Sequence, residues 1–237
     1  GDLCNLAQLE TFHLSLQLHQ ATDALPILQF TQRIQQRMTE ERVMWVAPAF
    51  FLALTEHIPN ISHVQILPKR GDYHNELTRF RYEAILSIDA PVAPQDVVEW
   101  HDWNTERLSV AELRRLLTDT PPRTFGVRNI PNARLHAESH ALQWLPTAAD
   151  DATVAHLRAF VGQQPAVGVE PEDIWALAHD LPYHVELSWV NTGLTGTFDA
   201  VFTHRDAPPH PAVIHTGAAL RPATAYVNNP AQDTQRI

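Results

Sequence analysis

The chain carries 14 histidines and a single cysteine, Cys4, so metal and nucleophile chemistry has to be sought first among the histidines. His136 and His140 lie four apart on a predicted helix, a spacing that sets two imidazoles on one face as a zinc site needs. The glutamate that a zinc protease places directly after its first histidine is replaced by Ala137, and no third ligand is indicated. His136-Ala137-Glu138 also spells half of a zinc deaminase signature, but its Pro-Cys-x-x-Cys partner cannot exist with one cysteine. No metal is therefore expected. Trp100-His101-Asp102-Trp103 offers a His-Asp pair, yet no Ser or Cys nucleophile stands in a recognisable turn, and the two tryptophans read as anchors. The polar stretch from Lys69 to Thr78 remains, with Asn75 and Glu76 near its end. It is far longer than a hairpin turn requires, and loops of that kind are favoured places for function.

The eight glycines never occur as Gly-x-Gly, so no phosphate-cradling or dinucleotide turn can be written on the chain. Seventeen basic against 27 acidic residues give a formal charge of −10, and no basic stripe offsets it, which argues against a nucleic-acid partner. No apolar run is long enough to span a membrane. The opening residues lack the basic start and apolar centre of a secretory leader, and a lone cysteine fits a reducing compartment, so a cytoplasmic location is expected.

Apolar residues recur at helical spacing over 6–18 and over 27–38, and a third short helix is predicted between Pro48 and Pro59. Strands are predicted at 61–67 and 79–88. In the second, Phe80, Tyr82, Ala84, Leu86 and Ile88 face one way and Arg79, Arg81, Glu83 and Ser87 the other. After a proline-containing break at 90–94, Ser109 and Glu112 form a capping-box signature, and further helices are expected at 132–145, 153–161 and 171–181. A hairpin of 184–189 and 197–203, turning through Asn191 to Gly196, closes that unit. Residues 205–237, with five prolines and little periodicity, read as linker.

Asn75-Glu76-Leu77-Thr78-Arg79-Phe80-Arg81-Tyr82-Glu83-Ala84-Ile85-Leu86 resembles the Asn-Glu-Leu-Ser-x-Tyr-Arg-Tyr-x-Ala-Val motif of N-methyltransferase domains embedded in nonribosomal peptide synthetases. Val185-Glu186-Leu187-Ser188-Trp189 and Gly196-Thr197-Phe198-Asp199-Ala200-Val201-Phe202 resemble the last motif of those domains. Gly1-Asp2-Leu3, Lys69-Arg70-Gly71, Pro131-Asn132-Ala133-Arg134-Leu135 and Pro171-Glu172-Asp173-Ile174-Trp175-Ala176-Leu177 are also similar to the family. Tyr226-Val227-Asn228-Asn229-Pro230 looks like its return toward the small adenylation subdomain. Two positions depart from the pattern: Cys4 replaces the usual Arg, and Val190-Asn191 replaces Arg-Gln.

The resemblance implies an α/β fold, α+β within this chain. Residues 1–90 would be the C-terminal portion of a Rossmann-like class I methyltransferase fold. Residues 95–204 would be a helical subdomain closed by the hairpin, and 205–237 a proline-rich linker toward the adenylation subdomain. It implies that the glycine-rich strand-turn-helix for S-adenosylmethionine belongs upstream: no cofactor for this chain alone, S-adenosylmethionine if that half is present. In that reading Asn75 holds the acceptor amide or amine, Glu76 offers a carboxylate near the ammonium, and Tyr82 shapes the acceptor pocket. Alternatively, Asn75 and Glu76 only tie the loop and Tyr82 is core. Arg79 and Arg81, on the opposite face, read as solvated or ion-paired. Two functions follow: a truncated, non-catalytic scaffold or docking module, or the acceptor-side half of an N-methyltransferase acting on carrier-bound aminoacyl or peptidyl substrates. The expected partners are adenylation and carrier-protein domains, and self-association through an exposed sheet edge if nothing else covers it.

Overall fold

The computed structural model describes residues 1–90, 98–165, 167–190, 196–207, 221–228 and 230. Two four-stranded sheets organise the chain. The first is built from β1 (Asp2–Asn5), β2 (Trp45–Val46), β3 (Ile61–Pro68) and β4 (Arg81–Ile88), in the order β2-β1-β4-β3, with only β1 and β2 parallel. Between its strands run α1 (Leu9–Gln20), α2 (Ile27–Thr39), α3 (Ala49–His57) and the short α4 (Glu76–Phe80). The second sheet takes β5 (Glu99–Asp102), β6 (Thr124–Ile130), β7 (Tyr183–Ser188) and β8 (Phe198–His204) in the order β5-β6-β8-β7, with β5 and β6 parallel. Its helices are α5 (Val110–Asp119), α6 (His136–Trp144), α7 (Val154–Gln163) and α8 (Pro171–Asp180).

The apolar stripe of α2 is what its sequence promised: Ile27, Phe30 and Ile34 are buried while its polar face meets solvent. Ser109 accepts the Glu112 N–H at 3.1 Å and starts α5. The reciprocal half of that expected box is not made, because Glu112 instead receives Arg115 Nη2 at 2.7 Å. Pro171 opens α8, where its missing N–H costs nothing.

The first difference from the sequence pattern lies at 79–80, which are helical and not strand. Asn75 and Thr78 cap each other and wind one turn of helix before the chain extends at Arg81. Alternation then holds: Tyr82, Ala84 and Leu86 pair across from Pro68, Ile66 and Val64 on the core side. Ile88, at the strand end, is exposed. The second difference is β6. Thr124 to Val127 are all buried, on both faces, so no alternation marks them. The hairpin expected to close a helical subdomain is thereby extended by β6 and β5 into a full sheet. Gly126 is the condition for this packing, because a Cβ there would lie 2.7 Å from the Trp100 ring across the β5–β6 pair. The break at residues 91–94 and the turn at 191–195 lie outside the described residues.

One apolar cluster runs from Cys4, Ile66 and Tyr82 of the first sheet to Val127, Leu187 and Phe202 of the second. A second cluster joins α1 and α2 (Leu14, Phe30, Ile34) to α6 and α7 (Ala141, Val154, Leu157). Backbone bonds seal that seam: the Ile27 N–H donates to the Ala152 carbonyl and the Val154 N–H to the Leu25 carbonyl, both at 2.9 Å. The two sheets also meet edge to edge, where the Trp189 N–H donates to the Ile66 carbonyl at 2.9 Å. At that point one edge of the first sheet, β3, is met by the chain's own residue following β7.

Part of the stretch read as linker is bound. Tyr226 is buried, Val227 bridges Val46, and Asn228 Oδ1 accepts the Trp45 N–H at 2.6 Å, so residues 226–228 line the β2 edge. No signal of period 2 announces a strand this short, and its partner β2 has only two residues.

Candidate functional site

The Lys69–Thr78 loop is an ordered structure built around α4. Asn75 Oδ1 accepts the N–H groups of Leu77 (2.9 Å) and Thr78 (3.1 Å), and the Asn75 N–H donates back to Thr78 Oγ at 3.2 Å. The Thr78 hydroxyl also donates to the Tyr73 carbonyl. Capping consumes the Asn75 carbonyl and leaves its amide: Nδ2 has no partner among the described residues, and the side chain is exposed. Beside it Glu76, also exposed, accepts from Arg81 Nη2 at 2.8 Å. Arg81 reaches Asp2 as well, at 3.5 Å. The hydrogen bond it donates to Glu76 holds the guanidinium above its usual pKa. The tip therefore presents an uncommitted amide donor and a carboxylate side by side, flanked by exposed Tyr73 and Leu77.

Tyr82 does not join them. Its ring is fully buried, and its hydroxyl donates to the Val46 carbonyl at 2.9 Å. Burial raises its pKa and keeps the phenol neutral. Arg79 is an ion-paired residue, bonding Glu138 through Nη2 and donating from Nε to the Arg134 carbonyl at 2.9 Å. Glu138 is buried and is also bonded by the Ser15 hydroxyl at 3.0 Å, which ties the loop's exit to α1 and α6.

The residues that shape this loop from the second half of the chain carry no spacing of their own; Arg134 and Glu172 lie within the family-like stretches 131–135 and 171–177, and Glu170 in neither. Arg134, with a fully buried side chain, donates from Nη1 to the Lys69 carbonyl at 2.7 Å and the Thr78 carbonyl at 3.3 Å, and from Nη2 to the Gly71 carbonyl at 2.6 Å. Glu170 lies 3.4 Å from its Nε. Burial lowers the Arg134 pKa, though an arginine stays charged at neutral pH. Glu172 accepts Arg70 through Nε at 2.9 Å and Nη2 at 2.7 Å, together with the Gly71 N–H at 2.8 Å. Burial opposes the ionised Glu172 carboxylate, but the Arg70 bonds and the Gly71 N–H outweigh it and hold its pKa low. Arg70 lies over the Trp175 ring at 4.3 Å, and His74 meets Glu170 at 2.9 Å. An ion pair as exposed as Arg70–Glu172 is worth at most about 1 kcal/mol, whereas unpairing a buried charge such as Arg134 costs about 3–5 kcal/mol. Arg134 is the stronger tie.

The other constellations resolve into structural contacts. His101 faces Glu106 at 2.8 Å and stacks on Phe125, while Asp102 is occupied by Asn129 Nδ2 at 2.6 Å and caps the Asn104 and Thr105 N–H groups. The His136 and His140 rings meet edge to face at 4.3 Å, and His136 Nε2 lies 2.6 Å from the Pro165 carbonyl. Among the described residues no three His, Cys, Asp or Glu side chains are grouped to hold a metal, and no helix is long and apolar enough to cross a membrane.

No protein-family model matches the chain. Single relatives do. Chondramide synthase cmdD of Chondromyces crocatus is 39% identical over 98% of the chain. The chain is homologous to a segment of nonribosomal peptide synthetases. The nonribosomal peptide synthetase penN of Penicillium thymicola is 30% identical over 88% of the chain, and cyclosporin synthetase simA of Tolypocladium inflatum 27% over 99%. The chain spans only 6%, 8% and 2% of these three relatives, so within such a synthetase it corresponds to one small piece.

Proposed function

We propose that this nonribosomal peptide synthetase segment is the acceptor-presenting portion of an N-methyltransferase domain, serving aminoacyl or peptidyl groups carried on a neighbouring carrier-protein domain. The observation that carries this reading is the α4 tip, where the Asn75 amide and the Glu76 carboxylate stand exposed together on a loop clamped from behind. Transfer of a methyl group to an amine demands chiefly alignment of the acceptor and a place for its proton. Asn75 Nδ2 supplies a donor for the acyl carbonyl of the acceptor, while Oδ1 is spent on the helix cap. Glu76 sets a carboxylate where the amine would lie and receives or stabilises its proton, with Arg81 fixing the side chain. Tyr82 acts at one remove, as core beneath the loop.

S-adenosylmethionine, the donor that the resemblance implies, does not fit the residues of this chain. No Gly-x-Gly occurs in it. Among the described residues two of the three glycines with positive φ, Gly168 and Gly196, are closed over by Ala133 and Leu135. In this proposal the donor is held by polypeptide outside this chain, and no step is derived through it. The adenylation domain would adjoin the 226–228 segment bound along β2. Self-association through β3 would first have to displace the Trp189–Ile66 bond.

The test uses the intact polypeptide loaded with an aminoacyl carrier. Asn75→Ser preserves the cap, since serine caps as well as asparagine, and deletes only the amide donor. Combined with Glu76→Gln it should slow methyl transfer by about 10²-fold or more. An unchanged rate refutes the site. The lack of any Gly-x-Gly in the sequence supports a second reading, a non-catalytic scaffold. That reading expects the same variants to leave product formation by the assembly line untouched, and saturable S-adenosylmethionine binding by this chain alone would overturn it.

A further inference from the structure

We propose that Arg134 is the positioning residue for the acceptor loop, a role that rests on the functional reading above. Its planar fork gathers the carbonyls of Lys69 and Gly71 at the loop's entry and of Thr78 at its exit. One side chain therefore closes the ring of backbone that carries Asn75 and Glu76. Its placement is built in. The Asn132 side chain accepts the Arg134 N–H at 3.0 Å, and the Ala133 N–H donates to the Val169 carbonyl at 3.2 Å. Gly168, with φ of 153°, is what lets that second segment approach, because a Cβ there would stand 2.6 Å from Ala133 Cα. The same approach delivers Glu170 to the Arg134 guanidinium and to His74, and it leads into α8, whose Glu172 holds the Gly71 N–H from the other side. The loop's geometry is thus set by residues 131–172, more than fifty positions downstream of it.

A lysine keeps the charge and most of the stem, yet it is a point donor and cannot span three carbonyls in one plane. In the intact polypeptide, Arg134→Lys and the harsher Arg134→Met should raise amide exchange over residues 70–78 about tenfold or more, with β6 and β8 still protected. Displacement of the tip by about 1 Å should lower kcat for methyl transfer up to about 10²-fold while leaving KM for the carrier-bound acceptor nearly unchanged. Arg134→Lys keeps a charge opposite Glu170 and is the variant to rely on if Arg134→Met does not fold. Unchanged exchange over 70–78 in the lysine variant overturns the proposal, as does a loosened loop with full kcat. A wild-type polypeptide that transfers no methyl group sinks the functional reading instead, and loosened exchange in the variant then still supports the clamp.

Discussion

Tyr82→Phe separates the two roles that the motif offers for this tyrosine. The phenyl ring stays, so no cavity forms and the packing against Phe51 is kept. What disappears is one hydroxyl, buried and donating at 2.9 Å to the Val46 carbonyl, leaving that acceptor short of a partner inside the core. The cost of such a change is about 1–2 kcal/mol. Val46 is not an isolated acceptor. It bridges Val227, and the adjoining Ala47 N–H donates to the Tyr226 carbonyl at 2.7 Å, so loosening β2 also loosens the 226–228 segment laid along it. With a urea slope of about 2–3 kcal/mol/M for a chain of this size, the midpoint should fall by about 0.5 M with the slope unchanged. Limited proteolysis should cut sooner near residue 228 than at any site in β8. Turnover in the intact polypeptide should change little. A variant with the wild-type midpoint but a raised KM for the acceptor would refute this reasoning and return Tyr82 to a pocket wall.

Two further outcomes follow from the same contacts. Gly168→Ala forces a side chain against Ala133 backbone at a φ that favours glycine, which should cost about 1–3 kcal/mol and speed exchange over 70–78 even though Arg134 is intact. Below neutral pH, stability should fall first through His13. Burial lowers its folded pKa even though Glu41 lies 3.1 Å away, so its contribution is complete above the unfolded value of about 6.5 and is lost as pH drops below it. His140, also lowered by burial, adds to the same window. The loss attributable to Glu172, Glu83 and Asp102, all held low, begins only below about 4.5. Replacing His13 by Gln should flatten a urea-midpoint profile between about pH 7 and 5. A profile that keeps its full slope there places the acid sensitivity elsewhere.

Amphipathic helices were legible wherever one face alone is dry, as in α2, α5 and α8, because the 3.6-residue period survives only under that condition. β6 was not, because Thr124, Phe125, Gly126 and Val127 are all buried and no residue between them marks a wet side. Residues 79–80 were misread for a different reason. The alternation from Tyr82 onward is genuine, but the Asn75–Thr78 cap is a stronger local preference and winds the chain helically through Phe80 first. Asn75 and Glu76 could be named from the motif. The clamp made by Arg134 could not, because carbonyl ties from a buried guanidinium leave no periodic trace and span 56 to 65 residues of sequence; the Glu172 contact to Gly71 spans 101.

Those long-range ties make the two halves of the chain depend on one another. Were residues 1–90 an independent unit, the polar loop would be anchored within its own sheet, and the second half would contribute only a covering surface. The actual anchoring runs the other way. Lys69 ties to Glu83 at 2.6 Å within the first sheet, but that pair is half-exposed and weak. The groups that fix the loop, the buried Arg134 donor and the Glu172 carboxylate that accepts the Gly71 N–H, come from the second half, and Arg79 returns the tie to α6. A cut that separated residue 90 from residue 98 by proteolysis would leave both halves held by the shared core, whereas expressing residues 1–90 alone would strand three carbonyls and expose β3 at Ile66. The Lys69–Thr78 loop is therefore a joint product of both sheets, and the second sheet with its helices is part of what holds it in place.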